Sequence, residues 1–341
     1  AAALLVEAGH AVTGMMLRLW SEPGLEEHNR CCTPDAMAEA RRVANRLGIP
    51  FYVIDVRRAF RETVVEDFLR GYSQGITPNP CLVCNRQIRW GILLENALNM
   101  GADYLATGHY ARLRSNPDGS IELHRGLDEN KDQSYVLSVL DQAQLARTML
   151  PVGELSKPEV RSLAQAFSLA VAERADSQDL CFLAGQDYRE FLARYAPEAV
   201  KPGVIVDRAG KVLGRHSGLA HYTIGQRKGL GVASQAPLYV LEKRMAENVL
   251  VVGQAQELGQ RRLRTEQVNW ISGKAPNSPF QAGVKVRYRS ILHEAVVTPA
   301  GADQAEVEFV KPVRDITPGQ RAVFYIGDRV MGGGMISSGY D

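Results

Sequence analysis

Between residues 12 and 109 short apolar runs alternate with helix-length segments, and few folds accept that order. Val12–Leu19 follows a glycine turn and reads as a buried strand. Thr33-Pro34-Asp35 then supplies an N-cap, a proline for the first helical position and an acid for the first turn. Ala36, Ala40, Val43, Ala44 and Leu47 recur at helical spacing until Gly48. Phe51–Asp55 is the next strand. A helix runs from there to about Tyr72, and another from near Arg86 to Gly101. Asp103–His109 forms a third strand and its turn. Strand, helix, strand, helix, strand predicts an α/β fold built on a doubly wound parallel sheet. Ligands in such sheets sit at the carboxyl ends of the strands. That places Leu17–Trp20 and Thr107–His109 on one rim. Ala1–Gly9 reads as the tail of a helix capped by glycine, so further residues are expected upstream.

The pattern then changes. Residues 156–168 read as a helix capped by Ser156. From 201 to 235 glycine, basic residues and short turns dominate. From Pro237 onward only strand signals remain: 238–242, 249–252, 268–271, 284–288, 305–309 and 322–326. Short strands with Gly, Pro and Asp punctuation predict a small β-barrel or sandwich. The expected division is a catalytic α/β domain over 1–180, a connector over 181–237 and a C-terminal β-barrel over 238–341. No run of 18 apolar residues exists, so no membrane span is expected, and no secretory signal is visible, which implies a cytoplasmic protein. The five cysteines therefore point to catalysis, metal binding or neither, not to structural disulfides. Net charge is only +2, so nucleic-acid binding needs a local patch. Residues 201–230 provide one, with six Lys/Arg against a single acid.

Cys81-Leu82-Val83-Cys84 follows Thr77-Pro78-Asn79-Pro80, whose prolines imply a rigid exposed loop. A thiol at the start of a helix, near Arg86 and Arg89, has a lowered pKa, and the thiolate is the nucleophile. A zinc half-site is the competing reading, but no second ligand pair exists. Cys181, before Phe182, reads by itself as a buried small residue. Cys31 and Cys32 beside the Thr33 cap read as structural or incidental. His109 divides between packing and substrate contact. Lys131-Asp132-Gln133-Ser134 is either a helix cap or a polar clamp for a base or phosphate. In Gly225-Gln226-Arg227-Lys228-Gly229-Leu230-Gly231 the glycines allow close backbone approach to a polyanion, and Arg227 and Lys228 suit phosphates. Arg287-Tyr288 suits stacking and phosphate contact on RNA, or ordinary strand alternation.

Thr77–Pro80 with Cys84-Asn85, Ala106–Tyr110, Gly126–Asp128 with Lys131–Tyr135, Pro151–Leu155, Gly225–Gly231 and Thr317–Gln320 occur in one order. Together they resemble the bacterial tRNA-specific 2-thiouridylase family over essentially the whole chain. The resemblance implies adenylation of the C2 oxygen of wobble uridine 34 by ATP with Mg²⁺, then its replacement by sulfur. The implied substrates are the tRNAs for Lys, Glu and Gln. The implied sulfur source is a relay protein or cysteine desulfurase. Cys181 matches the persulfide carrier and Cys84 the nucleophile that resolves it, leaving a Cys84–Cys181 disulfide. Asn79, Pro80 and Cys81 would surround the target base. His109, Lys131, Asp132, Gln133, Arg287, Tyr288 and Gln320 would contact tRNA. Leu17 and Gly108 would line the ATP site. The base must leave its stack to be reached.

Two departures from the family pattern stand out. The Ser-Gly-Gly-Val-Asp-Ser-Ser phosphate loop, whose amides hold pyrophosphate, is expected upstream of Ala1. Position 81 is Cys where some members carry Asp. Cys81, Cys84 and Cys181 offer three thiols for an iron–sulfur cluster with one open iron, as an alternative to persulfide chemistry. The competing functions are a C–N bond-forming ATP-pyrophosphatase, which has no use for Cys84 or Cys181, and a non-catalytic tRNA-binding protein.

Overall fold

The computed structural model describes residues 1–24, 33–169, 180–314 and 316–340. Cys31, Cys32 and the Asp176–Asp179 approach to Cys181 lie outside the described residues. Strand β1 (Gly14–Arg18) pairs in parallel with β2 (Phe51–Asp55), with Gly14 opposite Phe51 and Arg18 opposite Asp55. The crossover between them contains the helix Pro34–Leu47. Its start is as expected: Thr33 Oγ1 accepts from the Ala36 N–H at 3.0 Å and Pro34 takes the first turn. Gly48 ends it at φ 67°, a left-handed conformation that glycine adopts freely.

Strands β3 (Leu105–Ala106), β4 (Ala111–Ser115), β5 (Ile121–Arg125) and β6 (Thr148–Met149) follow. β3 and β6 are parallel, and β4 and β5 form an antiparallel hairpin. Within residues 1–169 the described parallel strands are thus hydrogen-bonded as two pairs, β1–β2 and β3–β6. Two long helical runs pack beside them, over 57–73 and 80–99. The second starts six residues earlier than the sequence suggested. Pro80 does not block it, because proline lacks only an N–H that has no partner in a first turn, and its fixed φ is already helical. Asn79, held extended by the proline after it (φ −120°, ψ 91°), makes the turn into the helix. Residues 84–93 within this run are wound as π-helix.

Strands β7 (Gly203–Val206), β8 (Val212–His216), β9 (Tyr239–Arg244) and β10 (Val249–Gly253) form one sheet in the order β8-β7-β10-β9. The division at residue 237 read from the sequence falls inside this sheet. Gly203 and Gly214 disguise β7 and β8 as turns, yet each glycine sits where another group approaches. A Cβ on Gly203 would lie 2.2 Å from the Asn248 carbonyl oxygen.

The last unit contains β11 (Gln260–Trp270), β12 (Phe280–Lys285), β13 (His293–Pro299), β14 (Ala305–Val313), β15 (Arg321–Ile326) and β16 (Arg329–Tyr340). Their order is β11-β14-β13-β12-β15-β16, and β16 pairs back onto β11, closing a six-stranded barrel. Closure explains the glycine run Gly332–Gly334, which hid β16 in the sequence. A Cβ at Gly332 would meet the Asn269 carbonyl oxygen at 2.6 Å, and one at Gly333 the Ala322 carbonyl oxygen at 2.7 Å.

The barrel is joined to the first domain. β5 pairs with β16, His124 opposite Arg329. One core contains Trp90, Leu105, Leu123, Tyr135 and Leu140 together with Val323, Tyr325 and Val330 of the barrel.

Candidate active site

Leu19 directly follows β1 and Val56 directly follows β2. Both belong to a buried cluster with Phe60, Val64, Phe68, Ile88, Phe182 and Phe191. Cys84 and Cys181, both half-buried, rest against this same cluster. Cys84 is carried there by the helical run 80–99. Cys181 opens the short turn Cys181–Leu183, pinned by the fully buried Phe182, which meets Phe68 edge-on at 5.2 Å and Phe60 at 6.1 Å. The structure therefore sets two cysteines far apart in sequence against one apolar cluster, which also holds the residues that leave β1 and β2, and both are thiols not joined in a disulfide. Leu17 packs between this cluster and the core shared with the barrel. Gly108 lies exposed on the rim, with open space where a Cβ would project.

Cys81, exposed, lies in the first turn of the helix, not in a loop. Tyr288, from the loop after β12, lies near it. Burial raises the Tyr288 phenol, helped by the Asp132 carboxylate and by Cys81. The Tyr288 ring lies 5.9 Å from Tyr135. Tyr135 is fully buried; its phenol donates to the Arg321 carbonyl oxygen at 2.9 Å and bonds the Asn79 side chain. Burial raises its pKa, with Arg321 and Arg287 opposing. Arg321 is itself buried, its Nε 2.9 Å from Ser138 Oγ. Burial lowers its guanidinium to about 10, so it stays charged at neutral pH. Tyr135 and Arg321 were missed in the sequence. A lone arginine leading the apolar run Ala322–Ile326 was the available signal.

The turn before Arg321 holds the approach to Asn79. The Thr77 N–H donates to Pro318 O at 3.0 Å, and Gln320 Nε2 donates to Thr77 O at 2.9 Å. Gly319 has φ 88°, and a Cβ there would lie 2.8 Å from Ile76 Cβ. Gln320 thus faces the protein. Asp132 also points inward. Its fully buried carboxylate accepts from the Gly126 and Ser134 N–H groups at 3.1 and 3.0 Å and pairs with Lys285 Nζ at 3.3 Å. Gln133 Oε1 accepts from the Tyr110 N–H at 3.0 Å, while Lys131 is half-buried at the edge. His109 sits against Trp90 (5.5 Å) and shares a 2.8 Å hydrogen bond with Thr107. Burial, aided by the Arg89 charge, lowers it to about 3, so it is a neutral hydrogen-bonding group.

The Gly225–Gly231 loop stands apart. Gly225, Gly229 and Gly231 all take positive φ, and Gln226 braces the turn through Thr223 N and Lys228 O. Arg227 and Lys228 are left exposed. Among the described residues no three His, Cys, Asp or Glu side chains are gathered for a metal ion. Cys81, Cys84 and Cys181 do not form a ligand set for a cluster in this arrangement. No helix among the described residues is long and apolar enough to cross a membrane.

Three domain families match the chain. The tRNA methyl transferase HUP domain covers residues 1–185, the tRNA methyl transferase PRC-barrel domain 189–254 and the aminomethyltransferase beta-barrel domain 260–336. Proteins named tRNA-specific 2-thiouridylase MnmA are similar over nearly their whole length. The one from Roseiflexus castenholzii is 48% identical, covering 99% of this chain and 95% of its own. That of Magnetococcus marinus is 46% identical over 98% and 94%, and that of Carboxydothermus hydrogenoformans 45% over 98% and 93%. The domain descriptions speak of methyl transfer, but the full-length relatives carry the thiouridylase name. With identities of this size across almost every residue, the chain belongs to the tRNA-specific 2-thiouridylase family.

Proposed function

We propose that the protein is a tRNA uridine 2-sulfurtransferase that uses ATP to exchange the C2 oxygen of wobble uridine 34 for persulfide-derived sulfur. The observation that carries this reading is the convergence of Cys84 and Cys181 on one cluster at the carboxyl ends of β1 and β2, where α/β sheets bind their ligands. The uridine C2 oxygen attacks the α-phosphate of ATP, and pyrophosphate leaves. The Cys84 thiolate attacks the Cys181 sulfur of the persulfide, releasing hydrosulfide and forming a Cys84–Cys181 disulfide. Hydrosulfide attacks C2, AMP departs with the original oxygen, and a proton is lost to give the thiocarbonyl. The transferred sulfur gains two electrons and the two thiols lose two. A dithiol reductant resets the pair.

Leu17 and Gly108 line the nucleotide site, and Mg²⁺ accompanies the ATP phosphates. Asn79, Pro80 and Cys81 surround the base. Lys131, His109, Arg287 and Tyr288 meet the RNA, while Asp132, Gln133 and Gln320 act by holding their segments in place. Arg227 and Lys228 bind phosphates at a distance from the chemistry. The substrates are the tRNAs for Lys, Glu and Gln, the sulfur comes from a relay protein or cysteine desulfurase, and the reaction is cytoplasmic.

The full-length polypeptide, incubated with ATP, Mg²⁺, a persulfide source and unmodified glutamate tRNA, is expected to yield 2-thiouridine by mass spectrometry of the digested RNA. Cys181→Ser is expected to yield none. A Cys181→Ser variant that still forms 2-thiouridine at the wild-type rate would remove the persulfide mechanism, and a wild type that binds tRNA and ATP but forms no thionucleoside would favour a C–N bond-forming relative.

A further inference from the structure

The loop 286–292 joins β12 to β13, and Val286, Tyr288, Ser290 and Leu292 anchor it on both sides of its tip. Val286 is buried. Ser290 Oγ accepts from the Val286 N–H at 3.2 Å and donates to the Arg287 carbonyl oxygen at 3.0 Å, and the Ser290 N–H donates to that same oxygen at 3.1 Å. Tyr288 packs on Tyr135 beside Cys81. Leu292 packs into the core shared by barrel and first domain. Pairing with β12 resumes at once, His293 opposite Val284. Between these anchors Ile291 projects outward, 74% exposed, the most exposed of the large apolar residues described. The loop therefore spends its rigidity on holding one apolar, β-branched and hence stiff side chain in water, three positions from the tyrosine that touches the site.

We propose that Ile291 is a wedge that enters the anticodon stack beside the target uridine and fills the gap while the base is turned out toward Cys81 and Cys84. This rests on the reading that the substrate is a tRNA uridine. Extruding a base opens an apolar slot between its neighbours, and proteins that open such slots insert isoleucine, leucine, phenylalanine or methionine. RNA fits this tip better than a protein groove does. Two arginines, the half-buried Arg287 and the exposed Arg289, precede the isoleucine in the same loop, and guanidinium near an apolar point suits the phosphates of a nucleic-acid strand. Ile291 is a positioning residue; it touches no reacting atom.

The test uses the full-length polypeptide and a glutamate tRNA carrying 2-aminopurine on the 3′ side of uridine 34. Binding by the wild type is expected to raise its fluorescence as stacking is lost. Ile291→Ser is expected to leave melting temperature and ATP binding unchanged, abolish the fluorescence rise and slow tRNA-dependent AMP release and single-turnover thiolation together, about 10- to 100-fold. Ile291→Leu is expected to restore both signals. A tRNA with an abasic residue in place of the 2-aminopurine, which has no stack to open, is expected to be thiolated equally by wild type and Ile291→Ser. The proposal is overturned if Ile291→Ser keeps the fluorescence rise, or if its defect persists on the abasic tRNA. It is also overturned if the defect disappears when free sulfide replaces the protein donor, which would make the tip a protein-docking point. A wild type that shows the Ile291-dependent fluorescence but forms no thiouridine would instead overturn the functional reading and leave the wedge standing.

Discussion

The seam between the first domain and the barrel is polar and buried, whereas the Gly225–Gly231 loop is polar and exposed. In the seam Lys285 reaches Asp132 and Arg321 reaches Ser138, all out of water. Such groups are strongly constrained, since a buried charge that loses its partner keeps its desolvation penalty. In the loop, Arg227 and Lys228 have no such constraint. The seam sets distances among Asn79, Cys81, Tyr135 and Tyr288. In the proposed function the loop contributes field and affinity. Mutations should divide along this line, with seam changes altering folding and chemistry and loop changes altering only binding.

The largest expected effect is at Asp132. Asp132→Ala leaves the Lys285 ammonium buried without its carboxylate, and should lower folding stability by about 3–5 kcal/mol in urea titrations. Asp132→Asn with Lys285→Met removes that pair and keeps an acceptor for the Gly126 and Ser134 amides, so part of the loss should return, the rest staying with Arg125, whose Nε lies 3.6 Å from the same carboxylate. If the two changes instead add independently, the pair is not what holds the seam.

Next is Gly319→Ala. The added methyl meets Ile76 and the Thr77 backbone at a φ that alanine avoids. A loss of about 2–3 kcal/mol is expected, together with slower thiolation, because Thr77 leads into Asn79. Gly210→Ala is the control: its φ is 85° but nothing lies within 4 Å, so only the backbone penalty of about 1 kcal/mol remains. Equal losses at the two positions would mean that the approach to Thr77 contributes nothing.

Much of this was readable beforehand. The Thr33 cap, Gly48, the alternating strands and the 156–168 helix follow local rules, and local rules hold where no distant partner intervenes. The helix start at Pro80 was misplaced because proline was weighed as a breaker and not as a first-turn residue. β7, β8 and β16 were hidden because their glycines answer to atoms far along the chain, such as Asn248 O and Ala322 O, which no local window contains. The same holds for the site. Cys84 and the Arg287-Tyr288 pair stood out by residue type, but the inward turn of Asp132 and Gln320 depends on Lys285 and Thr77, and Tyr135 was invisible without Arg321 above it.

The middle sheet carries a buried charge of the opposite kind to the seam. Lys243 Nζ is buried without a hydrogen-bond partner, and burial lowers its pKa to about 8. Below pH 8 the folded state must carry that charge unpaired, and the penalty is complete. Between pH 8 and the unfolded value near 10.5 the folded amine is neutral while the unfolded one still binds a proton, so stability rises with pH. Lys243→Met should stabilise the protein at pH 7 by on the order of 2 kcal/mol and flatten the pH dependence above pH 8. A variant that destabilises at pH 7 would show that the ammonium has a partner in solution.

The smallest expected effect on folding is at Arg227 and Lys228. Both are exposed, and surface changes of this kind usually shift stability by no more than about 0.5 kcal/mol. Arg227→Gln with Lys228→Gln should therefore leave the melting temperature in place. Binding is another matter. Every phosphate that the protein no longer neutralises takes about 0.9 from the slope of log affinity against log salt. The double variant should therefore bind tRNA more weakly, with a slope shallower by about 2. Single-turnover thiolation at saturating tRNA should match the wild type, because the groups that place the uridine lie in the seam. A double variant with unchanged salt slope would take the loop off the RNA. One with normal binding but slow thiolation would merge loop and seam into a single device and end the distinction drawn between them.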